Sequence, residues 1–263
     1  MQTTAPGNVI ELISDDGNEF TVNGTITTHD VGVSTAGTGG DGTFILQGGG
    51  GMPAAVPAMQ GTSVTYGPFI RWTGGTSTDP ILYMPDAHHC KVIRVGFHGN
   101  NQTTRLVKAG GQYVTFEGCW IGAPRTGGRC LWITGTTDTG YDAVAPQVRF
   151  CEIYGGGNNS WGIYIDDDTG GKEPTDGVIT NTLVKGAEAG WVYSNSGGLI
   201  INGCHMTGNT DNVQGIVFNG GGPHIVVGCY LDTVKKGPVV QFNGGASLGK
   251  VVGNHFQNPK AAG

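Results

Sequence analysis

The sequence predicts an all-β solenoid, a parallel β-helix with three short strands in each coil and about 22–32 residues per coil. Two observations predict it. A short sequence motif, here called the phrase, occurs six times along the chain, and another strand-like segment recurs between its copies. In the phrase's copies, the anchor residues Cys119, Cys151, Thr182, Cys204, Cys229 and Asn254 are 32, 31, 22, 25 and 25 residues apart. A recurring period in this range indicates a repeat architecture in which each unit packs only against its neighbours.

Each copy of the phrase contains two strand-like pieces joined by a bend. The first piece is apolar and β-branched, and the second alternates, so that the anchor and the residue two positions later face the same side. The bend residues are Gly118, Phe150, Asn181, Gly203, Gly228 and Gly253. Five of these six are Gly or Asn, which adopt positive φ at low cost. Phe150 is the exception, and a one-residue register shift at that copy is an open alternative.

A third strand recurs between the copies of the phrase. It covers residues 131–134, 163–166, 191–194, 216–219 and 240–243, and residues 81–84 and 105–108 look like earlier members. Each period therefore carries three strands and three connections. Three strands per turn, stacked in parallel, form a parallel β-helix.

The bend before a ladder of small inward residues resembles the right-handed parallel β-helix of the pectin-lyase-like superfamily, over roughly residues 65–259. The resemblance implies a right-handed, single-stranded parallel β-helix. It does not imply one activity, because this fold carries lyases, hydrolases, esterases and non-enzymatic virion proteins. We expect an N-terminal lead-in and cap or attachment region at residues 1–60, followed by a β-helix domain at residues 61–263.

Composition excludes several classes of protein. Charged residues make up 13% of the chain and the net charge is −6, against a typical charged fraction of about 25%. A nucleic-acid or anionic-membrane binder needs a basic stripe, which is missing here. No apolar run is long enough to span a membrane, and the N-terminus lacks the segments of a signal peptide. Four of the six cysteines are ladder anchors, which indicates small buried thiols; no cofactor and no metal site is expected.

Two of the coils are longer than the rest, and their loops are rich in acids. The loops cover about residues 136–146 and 166–176, and they leave adjacent coils at the same corner. They hold Asp138, Asp142, Asp166, Asp167, Asp168, Glu173 and Asp176. Paired carboxylates suit the acid and base of a glycosidase or a Ca²⁺ site. Asp142, Asp166 and Asp168 are the weak catalytic candidates, and an ordinary acidic surface is the alternative.

Strand parity places an aromatic stripe beside these loops. If Leu131 and Ile133 point inward, then Trp132 points outward, as do Tyr164 and Tyr83 on other coils. Flat aromatic rings suit the apolar faces of sugars, and acidic side chains suit their hydroxyl groups. The resemblance implies that a ligand-binding cleft follows this kind of strand, as is common in carbohydrate-active β-helices. The expected glycan-binding residues are therefore Tyr83, Trp132, Tyr164, Asp138, Asp142 and Asp166; in the alternative, the aromatics pack under their own loops.

The outward face of the anchor strands is unusually apolar. Apart from Glu152, it consists of Trp120, Leu183, His205, Tyr230 and His255. Exposed apolar patches mark interfaces, so these five residues predict contacts between chains. The resemblance to viral β-helices implies a homotrimer. A face covered by loops is the alternative.

For function, the chain resembles bacteriophage tailspikes and β-helical tail fibres. That resemblance implies a virion structural protein, assembled in the host cytoplasm, that attaches to a host through a surface glycan. Its expected partners are other virion proteins and host polysaccharide. One alternative is a capsid or tail decoration protein without a glycan role. The other is a polysaccharide lyase or glycoside hydrolase on a β-helix.

Overall fold

A computed structural model shows the chain to be a right-handed parallel β-helix. It describes residues 9–12, 19–27, 45–49, 54–57, 63–66, 68–85, 87, 89–135, 144–156, 159–166, 174–208, 214–234, 236–244, 246 and 248–257. In this part of the chain, three all-parallel sheets, here named A, B and C, run along the helix axis. Each complete coil passes through the three sheets in that order. The fold class predicted from the repeat is confirmed.

The strands are distributed over the sheets as follows. Sheet A contains Val9–Leu12, Ile45–Gly48, Lys91–Ile93, Thr115–Glu117, Gln147–Arg149, Gly177–Thr180, Leu199–Asn202, Pro223–Val227 and Leu248–Val252. Sheet B contains Glu19–Val22, Phe69–Trp72, Gly96–His98, Trp120–Gly122, Glu152–Tyr154, Leu183–Lys185, His205–Thr207, Tyr230–Asp232 and His255–Gln257. Sheet C contains Ile26–Thr27, Ser77–Met84, Thr103–Ala109, Arg129–Ile133, Trp161–Ile165, Gly190–Ser194, Ile216–Phe218 and Val240–Phe242. Ala54–Pro57 and Ser63–Tyr66 form a separate antiparallel pair.

The sheets continue into the N-terminal region. Val9–Leu12 pairs with Ile45–Gly48 in sheet A, and Glu19–Val22 pairs with Phe69–Trp72 in sheet B. The division expected at residue 60 therefore does not coincide with an end of the sheets.

From Lys91 onward, every bend between sheets A and B has the left-handed conformation that the phrase predicts. The six predicted bend residues have φ between 47° and 64°, and Arg94 takes the same conformation one coil earlier at 54°. Phe150 is included, with φ 54°. Its coil is in step with the preceding one, because Arg149 pairs with Glu117 and Glu152 with Trp120. The stacked coils thus impose the bend even on a residue that disfavours it.

Replacing Phe150 with Asn is expected to stabilise the protein by about 1 kcal/mol, because Asn tolerates the left-handed region that costs a bulky side chain roughly 1–2 kcal/mol. Phe150 is largely exposed, so little buried apolar area is lost. The measurement is the urea midpoint of unfolding. Phe150→Ala is the control, since it removes the ring but keeps a Cβ, and it should give no comparable gain. An equal gain from both variants would contradict strain as the cause.

The interior explains why Cys, Thr and Asn exchange at the anchor position. The anchor of the next coil accepts a hydrogen bond from the backbone N–H of the anchor before it. Cys229 N–H donates to Asn254 Oδ1 at 2.8 Å, Cys204 N–H to Cys229 Sγ at 3.4 Å, and Cys151 N–H to Thr182 Oγ1 at 3.4 Å. None of the six cysteines forms a disulfide bond, and all six are buried. The anchor residues therefore fill the interior and accept backbone hydrogen bonds from the preceding coil.

Candidate functional site

The outer face of sheet C brings the predicted aromatic stripe together. Tyr83 pairs with Lys108, Lys108 with Trp132, Trp132 with Tyr164, and Tyr164 with Tyr193. The side chains alternate across a strand, and Leu131 and Ile133 lie in the core as predicted. Parity thus placed Tyr83, Trp132 and Tyr164 in one outward column.

Trp132 does not present a bare ring face, however. Its side chain is 2% exposed. Arg105, Lys108 and Arg129 lie over the ring, with their charged groups 4.8, 4.7 and 4.1 Å from its centroid. Its Nε1–H donates to the backbone oxygen of Asp166 at 3.2 Å. The prediction that this ring stacks on a ligand is therefore corrected: cations, which attract the π face, cover it.

Less buried rings lie one and two coils further on, although the Arg129 guanidinium lies over the Tyr164 ring, 3.8 Å from its centroid. Tyr164 and Tyr193 stack with centroids 4.6 Å apart and planes 11° apart, and Trp161 meets them edge-on at 6.0 and 5.5 Å. Trp161 lies over Gly190, where an added Cβ would approach its ring to 2.2 Å. All three side chains are half-buried. We call Trp161, Tyr164 and Tyr193 the aromatic platform.

Sequence reasoning missed Trp161 and Tyr193. The segment from Trp191 was aligned by its first apolar residue, but Val192 is the partner of Ile163. The true register turns Val192 inward and Tyr193 outward, and Trp191 lies in the core beside Val192. The signal that could have found it is Asn195, which follows its strand as Asp166, Asn219 and Asn243 follow theirs.

Side-chain amides line the C-terminal ends of the sheet C strands. Asn195 Nδ2 donates to Asp166 Oδ1 at 3.1 Å, and Asn219 Nδ2 donates to the Tyr193 hydroxyl at 2.6 Å. Asn243 donates to Asn219 Oδ1, and Gln241 donates to Asn243 Oδ1 at 2.6 Å. We call Asn195, Asn219 and Asn243 the amide row. It places amide donors and acceptors beside the platform, on successive coils.

Asp166 is the predicted acid that the structure describes at this site. Its Oδ2 accepts a hydrogen bond from the Tyr164 hydroxyl at 3.3 Å. Burial raises the pKa of Tyr164 to about 12; Arg129 opposes this and Asp166 reinforces it. Asp138, Asp142 and Asp168 lie outside the described residues, as do most of the other loop acids. Of the three catalytic candidates, Asp166 is the one within the described residues, and its carboxylate accepts hydrogen bonds from the Asn195 amide and the Tyr164 hydroxyl.

The raised pKa of Tyr164 predicts a pH dependence of stability. The unfolded tyrosine loses its proton near pH 10 and the folded one near pH 12. The stabilisation is therefore fully present below pH 10 and is lost as pH rises through 12. We expect the urea midpoint of the wild type to fall more steeply between pH 10 and 12 than that of Tyr164→Phe. Parallel slopes would contradict the assignment, and Tyr113→Phe, at an exposed tyrosine, is the control.

No protein-family profile matches the chain, and no characterised protein matches it in sequence. Among solved structures, it is similar to the A-module of mannuronan C-5 epimerase AlgE4 from Azotobacter vinelandii, with 12% identity, a TM-score of 0.35, and 97% of this chain and 88% of that chain covered. It is also similar to ORF18 of Geobacillus virus E2, with 12% identity, a TM-score of 0.34 and 97% of this chain covered, but it spans only 51% of the viral protein. The AlgE6 A-module of A. vinelandii matches with 11% identity, a TM-score of 0.23, and 83% and 91% coverage.

The outer face of sheet B divides into a closed half and an open half. Trp120 is buried, with Phe69 5.4 Å and His98 5.7 Å from it between ring centroids. The glycines Gly96 and Gly122 leave the room that these rings fill. Trp120 is thus not part of an exposed face, which corrects its place in the predicted interface.

The open half keeps the other predicted interface residues in register. Leu183 pairs with His205, His205 with Tyr230, and Tyr230 with His255. His205 and His255 are exposed, and each lies 4.9 Å from the Tyr230 ring between centroids. These four residues form a continuous apolar and aromatic column.

Within the described residues, His, Cys, Asp and Glu nowhere gather in threes with a geometry that suits a metal ion. No helix in the same residues has the length and apolar character to cross a membrane.

Proposed function

We propose that this chain is a bacteriophage virion protein that attaches to its host by binding a surface glycan along the outer face of sheet C. The observation that carries the proposal is the aromatic platform flanked by the amide row. A sugar ring has apolar faces, which pack on aromatic rings, and hydroxyl edges, which pair with amide donors and acceptors.

The repeat of the coils supports a chain-like ligand. Stacked strands are about 4.8 Å apart, which is similar to the length of one sugar unit in an extended polysaccharide. Tyr164 and Tyr193 are on adjacent coils, and Asn195, Asn219 and Asn243 are on three successive ones. A polysaccharide lying along the helix axis therefore meets an equivalent group at each step.

The virion setting and the homotrimer belong to the same proposal. The resemblance of the repeat to viral β-helices favours both. The column of Leu183, His205, Tyr230 and His255 supports a contact between copies, because it is largely aromatic and partly exposed.

The test is binding of the whole protein to bacterial surface polysaccharides. Labelled protein is titrated onto immobilised capsular and lipopolysaccharide-derived oligosaccharides and onto intact cells, with free polysaccharide as competitor. Saturable, competed binding that is lost in the Tyr164→Ala, Tyr193→Ala double variant supports the proposal. The proposal is wrong if the wild type binds no polysaccharide and the double variant adsorbs to cells as well as the wild type does. That result would favour the decoration role. Chromatography of the incubated polysaccharide identifies cleavage; cleavage abolished in Asp166→Asn would replace the proposal with the enzyme alternative.

A further inference from the structure

The outer face of sheet A changes character along the helix axis. On its earlier coils it carries charges, including an ion pair in which Arg149 Nη2 lies 2.7 Å from Glu117 Oε2. The next three strands alternate in burial, and their outward side chains are uncharged: Val178, Thr180, Ile200, Asn202, Ile225 and Val227. Val178, Ile200 and Ile225 are paired neighbours, which we call the aliphatic column. Ile200 is 40% exposed, so this column presents apolar surface.

The aliphatic column lies beside the outward column of sheet B on the same coils. Leu183, His205 and Tyr230 follow the members of the aliphatic column at positions 178, 200 and 225, each five residues later. The two columns are therefore in step along the helix axis. They lie on the two sides of the bend that joins sheet A to sheet B. Two different patches, one aliphatic and one largely aromatic, thus flank a single corner of the solenoid.

The corner between these patches consists of glycine. The bends of the last three described coils are Gly203, Gly228 and Gly253, and all three are exposed. The left-handed conformation does not by itself demand glycine, because Phe150 adopts it on an earlier coil. Crowding by the described residues does not demand it at two of the three: an added Cβ would meet one side-chain atom at 3.7 Å at Gly228, and nothing within 4 Å at Gly253. A bare corner allows another backbone to approach closely.

We propose that this glycine corner lies on the symmetry axis of the homotrimer, with the aliphatic column of each copy packed against the sheet B column of the next copy. A ring closed by rotation needs two different patches on every copy, because each copy contacts its two neighbours through different surfaces. The two columns supply these patches, whereas a single partner of another kind would need only one. This inference rests on the homotrimer of the proposed function and adds to it the surfaces in contact and their arrangement.

The first experiment places a charge at the corner. Gly228→Asp keeps the bend, because Asp tolerates the left-handed region, but it brings three carboxylates together near the axis, where they repel one another. We expect the dissociation constant of the assembly to rise at least tenfold, measured by analytical ultracentrifugation of the whole protein. Gly127→Asp is the matched control, because Gly127 is exposed, has φ 74° and has nothing within 4 Å of an added Cβ, but lies at the corner between sheets B and C. Its assembly should equal that of the wild type.

The second experiment tests the contact of unlike faces. Ile200→Lys should weaken the assembly at least tenfold, whereas Gln147→Lys, in the same outward line of sheet A on an earlier coil, should not. Chains carrying Ile200→Cys and chains carrying His205→Cys are then coexpressed and treated with a bismaleimide. The proposed ring gives links between the two kinds of chain. Links between two Ile200→Cys chains would show that like faces meet, which overturns the arrangement. The wild type is the background control, because its cysteines are buried.

The outcomes separate this inference from the function on which it rests. A wild-type trimer that neither Gly228→Asp nor Ile200→Lys weakens overturns the proposed surfaces and leaves the trimer intact. A wild type that stays monomeric at every concentration overturns both, while glycan binding is measured independently of either. Circular dichroism confirms that each variant keeps its β-structure. If Gly228→Asp does not fold, Ile200→Lys decides the result, because it changes an exposed side chain away from the bend.

Discussion

Replacing Trp191 with Ala is expected to lower the free energy of unfolding by about 3–5 kcal/mol, the usual cost of deleting a buried indole. Trp191 is fully buried in the core of the helix. Its ring extends toward Gly215 on the next coil, where an added Cβ would come within 3.0 Å of it. No side chain at position 215 can fill the cavity that the truncation leaves, so the site collapses poorly.

The indole nitrogen of Trp191 allows a sharper test. Nε1 is buried and has no hydrogen-bond partner among the described residues. Trp191→Phe removes this unpaired donor and keeps most of the apolar ring, so it should cost much less than Trp191→Ala. Urea unfolding followed by circular dichroism measures both variants. Trp161→Ala is the control, because it removes a half-buried indole from the outer face of the same sheet. Equal losses at Trp191 and Trp161 would contradict the assignment of Trp191 to the core.

The same residue shows where sequence reasoning reaches its limit. Sheets A and B were predictable in register because a bend lies between them in every copy and fixes which residues turn inward. The segment from Trp191 to Tyr193 has apolar residues on both faces, so its alternation permits a one-residue slip. What decides the register is room on neighbouring coils, at Gly162 and Gly215. That room becomes visible only when the coils are stacked.

The environment of outward residues was unpredictable for a related reason. Parity correctly turned Trp132 outward, but Arg105 and Lys108 reach it from the preceding coil, more than 20 residues earlier in sequence. Phe69 and His98 cover Trp120 in the same way. They can do so because Gly96 and Gly122 have no side chains in the space that the rings occupy. A repeat therefore predicts which face a residue occupies. What lies over it depends on the stacking of side chains between coils.

The second large effect is expected at the aromatic platform. Tyr193→Ala should weaken glycan binding at least tenfold, which corresponds to about 1.4 kcal/mol. The substitution removes one of two stacked rings and also the hydroxyl that accepts from Asn219 at 2.6 Å. Trp161→Ala should have a similar effect, since it removes the ring that meets both tyrosines edge-on. The measurement is the Kd for whichever oligosaccharide the wild type binds.

Two further variants separate the contributions to that loss. Tyr193→Phe keeps the ring and removes the hydroxyl, so it should retain most of the affinity if stacking dominates and lose most of it if the Asn219 contact dominates. Tyr113→Ala is the matched control, because Tyr113 is exposed at another corner and stacks on His89 4.9 Å away rather than on the platform. Its Kd should equal that of the wild type. If Tyr113→Ala weakened binding as much as Tyr193→Ala, the ligand would not lie on the outer face of sheet C. Because Tyr193 is half-buried and its strand is held by backbone pairing on both sides, the variant should fold, and a loss of affinity then reports on the ligand contact itself.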